Sequence, residues 1–444
     1  MKSVKTWIHK LNAPITSLQF IQLFRFGILF LISIAFAKSC MSVEQIGNYE
    51  KFIYFAGALS FFWTNGLLQS LLGKYNSLSS SNDKKKYLFN AILVSVGFSI
   101  LILFVLLLFQ KPFSLFFINN SQIPNKTLFL LYLTISPVTF FIEYIYLLNK
   151  KYRKIYIYGI ISYTLQFILV SFPAFFNLGL SYSLGGLVII TLIRLVWLTG
   201  LIFRYANPHF SWSFIKDNIQ SSFPLILGAF IAGSIPYIDG VLVSLHFDDS
   251  IFAIYRYGAR EFPVSLLLAS AFSNAMIPVL SSSKNMTWSL RSLKMKSLQL
   301  MHLLFPLSIL LMVISYFLFK ILFNPHFLAS VPIFNVMLLL IIPRMVFPQT
   351  ILLSQRKNNF ILMASTIEVV AKILFSIVLL YFFGLIGIAL GTVIAFILEK
   401  IILIYFVKRE VKIKPSQYIP FSWFLFYSCI TVITYLIIQF NVIG

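Results

Sequence analysis

Thirteen ionisable side chains fall inside long apolar runs of this chain: Arg25, Glu143, Arg194, Asp239, Arg256, Arg260, Glu261, Lys320, Arg344, Glu368, Lys372, Glu399 and Lys400. Eight are basic and five are acidic. A charge near the centre of a bilayer costs about 2.5–3.5 kcal/mol on insertion scales, so each needs a partner, water or a function. Arginine keeps its charge in any environment, and its planar fork matches phosphate oxygens. Arg25, Arg194, Arg256, Arg260 and Arg344 therefore point to a hydrated internal cavity for an anionic ligand. Arg256 and Arg260 are spaced to share one helix face. The acids Glu143, Asp239, Glu261 and Glu368 have two readings, coupling-ion sites or structural partners. Asp239 and Arg256 lie at similar depth on successive runs and are expected to bridge. Glu368 and Lys372 stand i,i+4 in the favourable order and can neutralise each other. Glu143 reads as a buried hydrogen-bonding group, answered by Gln349 in the second half. Lys320 snorkels from a helix end, and Glu399 with Lys400 reads as structural.

No GxxxxGK phosphate loop occurs, which argues against ATP hydrolysis within the chain. No His/Cys/carboxylate spacing suits a metal, and Cys40 and Cys429 form no framework. No cofactor or catalytic residue is expected, and the chain is not read as an enzyme.

The elements that must carry these residues are set by composition. Hydrophobic residues make up 59% of 444 and charged residues 11%, with a mean hydropathy of +0.91. Soluble domains carry about 25% charged residues, so this is an all-α polytopic membrane protein. Thirteen spans are expected, at about 20–38, 50–72, 87–110, 127–149, 155–177, 181–203, 219–245, 251–281, 300–323, 328–354, 359–382, 384–407 and 418–442. Unbroken apolar runs of this length exclude a barrel. No small-residue cleavage site follows the first run, so the first helix is read as uncleaved.

Basic residues alternate across the loops. With the N-terminus cytoplasmic, 23 fall on the inner side, from Lys2, Lys5 and Lys10 to Lys408–Lys414, against Lys38, Lys51, Lys111 and Lys126 outside. The net charge of +23 is thereby spread over every inner loop, which is not the footprint of nucleic-acid binding.

The chain also repeats itself. PVTFFIEYIYLLNKK (137–151) answers PRMVFPQTILLSQRK (343–357) at an offset of 206, and GLSYSLGGLVI (179–189) answers GLIGIALGTVI (384–394) at 205. IGNY (46–49) answers FAIY (252–255) at 206. Six spans per repeat give two parallel bundles, residues 1–204 and 219–408, joined by a linker at 205–218. Residues 409–444 supply one extra C-terminal helix. Gly179 and Gly384 are expected in equivalent tight turns.

These stretches, with FPLILGAFIAGSIPYIDGVLV (223–243), resemble the polysaccharide flippases of the multidrug/oligosaccharidyl-lipid/polysaccharide exporter superfamily, over about residues 10–410. The resemblance implies a MATE-like pair of bundles in the bacterial cytoplasmic membrane. It also implies translocation of an undecaprenyl-pyrophosphate-linked oligosaccharide by alternating access. Arg25 and Arg260 resemble the cavity arginines of the related lipid II flippases, which implies a common cavity. Its partners would be lipid-linked oligosaccharide, membrane lipids and polysaccharide polymerase machinery. A cation-coupled multidrug exporter of the same superfamily is the first alternative, but it calls for cavity acids and span one offers only Arg25. A membrane polymerase or glycosyltransferase is the second. Against it, the loops are short and the adjacent acids Asp248 and Asp249 occupy a tight turn.

Overall fold

The computed structural model describes residues 14–118, 125–282 and 285–443, and those residues form helices joined by turns and short irregular stretches, with no strand among them. Lys2, Lys5, Lys10 and Lys284 of the charge argument lie outside the described residues. The first half runs α1 (Pro14–Ala37), α2 (Val43–Tyr75), α3 (Ser81–Leu108), α4 (Gln110–Ile118), α5 (Lys126–Thr139), α6 (Phe141–Leu148), α7 (Tyr152–Phe175) and α8 (Leu180–Tyr205). The second half runs α9 (Trp212–Gly233), α10 (Ile235–His246), α11 (Asp249–Gly258), α12 (Pro263–Ser281), α13 (Met286–Leu322), α14 (Val331–Leu338), α15 (Ile341–Arg344), α16 (Pro348–Ser354) and α17 (Asn358–Phe406). The extra helix α18 (Phe421–Ile443) closes the chain.

Ten helical stretches among the described residues are long and apolar enough to cross a membrane, and α9 with α10 adds a bent eleventh. At 1.5 Å per residue the 49 residues of α17 would reach about 74 Å, more than twice a hydrocarbon core. Gly384, at φ 57° and ψ −135°, breaks it into the two expected spans.

Four expected spans are not the unbroken helices their hydropathy suggests, the fourth being divided at Phe140 between α5 and α6. The seventh bends by 55° between α9 and α10, where Pro236 follows the junction. The eighth is interrupted at residues 259–262, ahead of Pro263. The tenth is cut into α14, α15 and α16, with Pro348 opening the last piece. Proline lacks the amide hydrogen, crowds the preceding turn and pushes the residue before it out of helical geometry. Non-helical backbone at membrane depth is tolerated where protein or a water-filled cavity surrounds it.

Contacts group the chain into two units, Met1–Tyr237 with Ser244–Ala253, and Ile238–Val243 with Ile254–Gly444. The division at 205–218 follows the repeat. Division by contact falls later, because α9 packs along α2 within the first unit. In that unit α1 also lies on α7, and α7 on α8. In the second unit α12 packs on α16, α14 on α17, and α18 on α13.

The repeat reappears in backbone hydrogen bonds. Lys151 N donates to Tyr146 O at 2.8 Å, and Lys357 N to Leu352 O at 2.9 Å. Lys150 N donates to Leu147 O at 3.0 Å, and Arg356 N to Leu353 O at 3.1 Å. Lys150 and Arg356 both sit at φ 57°, the left-handed residue of the same helix-terminating motif. Phe140 N to Pro137 O and Val346 N to Pro343 O are both 3.4 Å, so each half breaks a span just after the matched proline. Among the described residues Gly179 and Gly384 are the glycines at positive φ, at 93° and 57°.

Candidate functional site

In the first unit the site forms around the break in the span made of α5 and α6. Thr139 ends α5 and Phe141 opens α6, so Glu143 stands in the first turn of a helix, where the backbone dipole favours an acid. Arg25 Nη2 on α1 donates to Glu143 Oε1 at 2.5 Å. Its guanidinium lies 4.9 Å from the Phe140 ring centre and 5.3 Å from that of Tyr163. Arg194 stacks on Tyr163 as well, at 4.7 Å, and donates from Nε to Ser162 Oγ at 2.6 Å and from Nη2 to Gln166 Oε1 at 2.7 Å. Three of the sequence-derived candidates, Arg25, Glu143 and Arg194, thus gather around one ring that sequence reasoning did not single out. Tyr163 is one of four tyrosines on α7, and nothing in the sequence set it apart from the others.

Arg25 opens onto a cavity of about 220 Å³ within this unit, lined among others by Gln22, Ser60, Thr64, Asn65, Glu143 and Tyr144. The Arg25 side chain keeps a quarter of its surface exposed, whereas Glu143 is buried. Arg25 Nε and Thr64 Oγ1 have no hydrogen-bond partner among the described residues. The cavity therefore presents a cation covered by one acid, a spare N–H, a spare hydroxyl and two amides. This set can bind an anion at one end and hydroxyl groups at the other.

The second unit holds its charges differently. Arg344 Nη2 bonds Glu261 Oε2 at 2.5 Å, and the guanidinium lies 5.6 Å from the Phe396 ring centre. Arg344 ends α15 and Glu261 lies in the interruption ahead of α12, so this pair joins two broken spans. Lys372 Nζ reaches Asp239 Oδ1 at 3.0 Å, and Thr392 Oγ1 lies 3.1 and 2.9 Å from the two carboxylate oxygens. The expectation for Asp239 named Arg256, but its closure comes from α17. Lys372 likewise has a partner that the i,i+4 spacing to Glu368 did not offer. The shared helix face for Arg256 and Arg260 is overturned: α11 ends at Gly258, and Arg260 lies in the interruption with its guanidinium 4.9 Å from the Tyr257 ring centre. Pro263 is the reason, since the helix cannot run into it from Arg260. Lys400 Nζ lies 2.8 Å from Glu399 Oε2.

At the repeat offset, Ser162 corresponds to Glu368, Gln166 to Lys372 and Arg194 to Glu399. One cation held by two neutral groups in the first half is replaced by two acids and a lysine in the second. Among the described residues no group of three or more His, Cys, Asp or Glu could hold a metal.

A family model described as "Polysaccharide biosynthesis protein" matches residues 40–332. Curated protein sequences give no match. Among solved structures the chain is similar to a lipid II flippase, MurJ, in an inward closed conformation, with a TM-score of 0.71, 17% identity, and 95% of this chain and 92% of that one covered. It is also similar to an inward-facing MATE family multidrug resistance transporter of the MOP superfamily, with a TM-score of 0.59, 12% identity and coverage of 88% and 98%. A Vibrio cholerae MATE transporter, VcmN, aligns with a TM-score of 0.57, 13% identity and coverage of 91% and 98%. At these identities the likeness is one of fold, a helical membrane fold shared by flippases and transporters.

Proposed function

Because the chain belongs to the polysaccharide biosynthesis protein family, we propose that it is a flippase for an undecaprenyl-pyrophosphate-linked oligosaccharide. It would act by alternating access in the bacterial cytoplasmic membrane, with the N-terminus on the cytoplasmic side. The observation that carries this reading is Arg25, a partly exposed arginine on a polar cavity inside a membrane-spanning bundle. An empty cavity with a bare guanidinium is costly, and Glu143 removes that cost. An arriving pyrophosphate takes over Arg25 through its own oxygens, including the N–H that Glu143 leaves unused. The first sugars then meet Gln22, Asn65 and Thr64, and the polyprenyl tail stays in lipid. Arg194 holds Tyr163 in place and adds positive potential. Arg256, Arg260 and Arg344 add positive potential in the second unit, with Glu261 as the acid that releases Arg344. The repeat halves, residues 1–204 and 219–408, are the parts that move in the cycle, and residues 409–444 are an added span.

The test is export of polymerised surface glycan in a deletion strain complemented with Arg25→Ala or Arg25→Lys, at matched membrane expression. Export is expected to fall steeply for alanine and partly for lysine. Normal export from Arg25→Ala would overturn the reading. The MATE-like fold also admits a drug exporter, but Glu143, the one acid among the residues named for this cavity, lies under Arg25. Export of glycan with no effect on efflux of cationic drugs would separate the two.

A further inference from the structure

Resting on the flippase reading of the diphosphate at Arg25, we propose that the stacked rings of Phe61 and Tyr237 are a sugar platform, the subsite for the hexopyranose next to that diphosphate. One face of α2 is turned to the cavity. Gly57, Ser60, Phe61, Thr64, Asn65 and Leu68 all line its 220 Å³, and steps of three and four residues place them in one stripe. The stripe runs about 16 Å along the helix at 1.5 Å per residue. α2 is 33 residues long, yet it is not among the described helices apolar enough to cross a membrane. Ser60, Thr64 and Asn65 are part of the reason. Polar groups at membrane depth face a protein interior or a hydrated cavity and mark the path of a substrate.

The ring pair is built rather than incidental. Phe61 and Tyr237 stack with ring centres 4.7 Å apart and planes 23° from parallel. Two glycines allow the approach. A Cβ on Gly233 would stand 2.6 Å from Phe61 Cε2, and one on Gly57 would stand 3.1 Å from the Tyr237 hydroxyl oxygen. Tyr54 donates its hydroxyl to the Tyr237 carbonyl oxygen, which ties the start of α10 to α2. Both rings nevertheless stay half-buried and line the cavity, whereas rings that only filled a core would be sealed in it. A pyranose has one face of C–H bonds and an edge of hydroxyls. The rings suit the face, and Gln22, Asn65 and the unpartnered Thr64 Oγ1 suit the edge. A diphosphate alone gives the rings nothing to hold, and a hydrocarbon chain gives the amides nothing. Drug-sized ligands fill about 300–1,000 Å³, so this smaller cavity encloses a single ring and the later sugars lie beyond it.

The test is binding to purified protein in lipid nanodiscs. The probes are farnesyl diphosphate and farnesyl-diphosphoryl glucose, galactose and N-acetylglucosamine. The parent should bind at least one glycosylated probe more tightly than farnesyl diphosphate. Phe61→Leu should cut that preference about fivefold, and Phe61→Trp should keep most of it. Asn65→Leu, at an exposed position outside the ring pair, should also reduce it, and it decides the matter should Phe61→Leu not fold. A parent without the preference would overturn the proposal. So would a preference unchanged in Phe61→Leu or in Asn65→Leu, or an equal weakening of all probes in Phe61→Leu that Phe61→Trp does not restore. Failure of the underlying reading looks different: Arg25→Ala would then bind farnesyl diphosphate as the parent does, whatever the Phe61 variants show.

Discussion

Each half of the molecule breaks the same span after the same proline and sets an arginine–glutamate pair beside the break, but the two pairs are built in opposite senses. In the first half the acid, Glu143, is on the broken span and the arginine, Arg25, comes from the opening helix. In the second half the arginine, Arg344, is on the broken span and the acid, Glu261, comes from another interruption. The deeper clusters differ in the same spirit. Arg194 rests on a hydroxyl and an amide, whereas Lys372 and Lys400 have carboxylates at 3.0 and 2.8 Å. Duplicated backbone geometry therefore does not fix charge. One bundle leaves an arginine partly exposed on a cavity, and the other pairs Arg344, Lys372 and Lys400 with carboxylates.

The sharpest way to break this contrast is at Asp239. Truncating one partner of a buried pair strands the other charge, so Asp239→Ala should cost about 3–5 kcal/mol. Survival of monodisperse protein after heating in detergent should drop accordingly. Asp239→Leu combined with Lys372→Met should recover most of it. Arg194→Leu is the matching cut in the first half. It removes two hydrogen bonds to a charged group, and about 1.5–3 kcal/mol of stability is expected to go. Its loss should appear in the same heating assay more than in export per folded molecule. An equal loss of export at full stability would move Arg194 from scaffold to ligand contact.

Arg25 probes the ligand side of the comparison. Arg25→Ala should lower export at least about tenfold, near 1.4 kcal/mol of lost interaction, while Arg25→Ala with Glu143→Gln should regain stability without regaining export. Recovery of export in the double variant would make the pair structural in both halves. The smallest effects concern the shared backbone. Gly179→Ala and Gly384→Ala each place a side chain at positive φ and should cost about 1 kcal/mol apiece. Unequal costs would show that the two turns carry different loads.

The spans were legible because about twenty apolar residues have few other uses, and the repeat because a proline and a basic pair stand out against an apolar background. The breaks were not legible. Pro173, Pro224 and Pro306 all lie within continuous helices, while Pro263 and Pro348 open new ones, and nothing local separates the two groups. Neighbouring helices decide which freed backbone groups are satisfied. The choice of ion partners was hidden for a related reason. Hydropathy gives the depth of Asp239, Arg256 and Lys372 in the membrane but not the side of the helix each faces, and Lys372 found its acid across more than a hundred residues of chain. Tyr163, which the guanidiniums of Arg25 and Arg194 share, is one of 22 tyrosines with no mark in the sequence to distinguish it.

The turn at Lys150 and Arg356 has a consequence for how the chain reaches the membrane. A left-handed residue at a helix end is most easily glycine, yet both halves use a base there and follow it with Lys151 or Lys357. With the N-terminus cytoplasmic, as proposed, these residues would emerge just behind a hydrophobic span, where positive charge resists translocation and would hold the loop on the side of the ribosome. In that orientation the same two residues would first anchor a nascent hairpin during insertion and later terminate a finished helix. A Lys150→Gly, Lys151→Ser chain would fold its turn with less strain and yet leave the insertion machinery with less to hold.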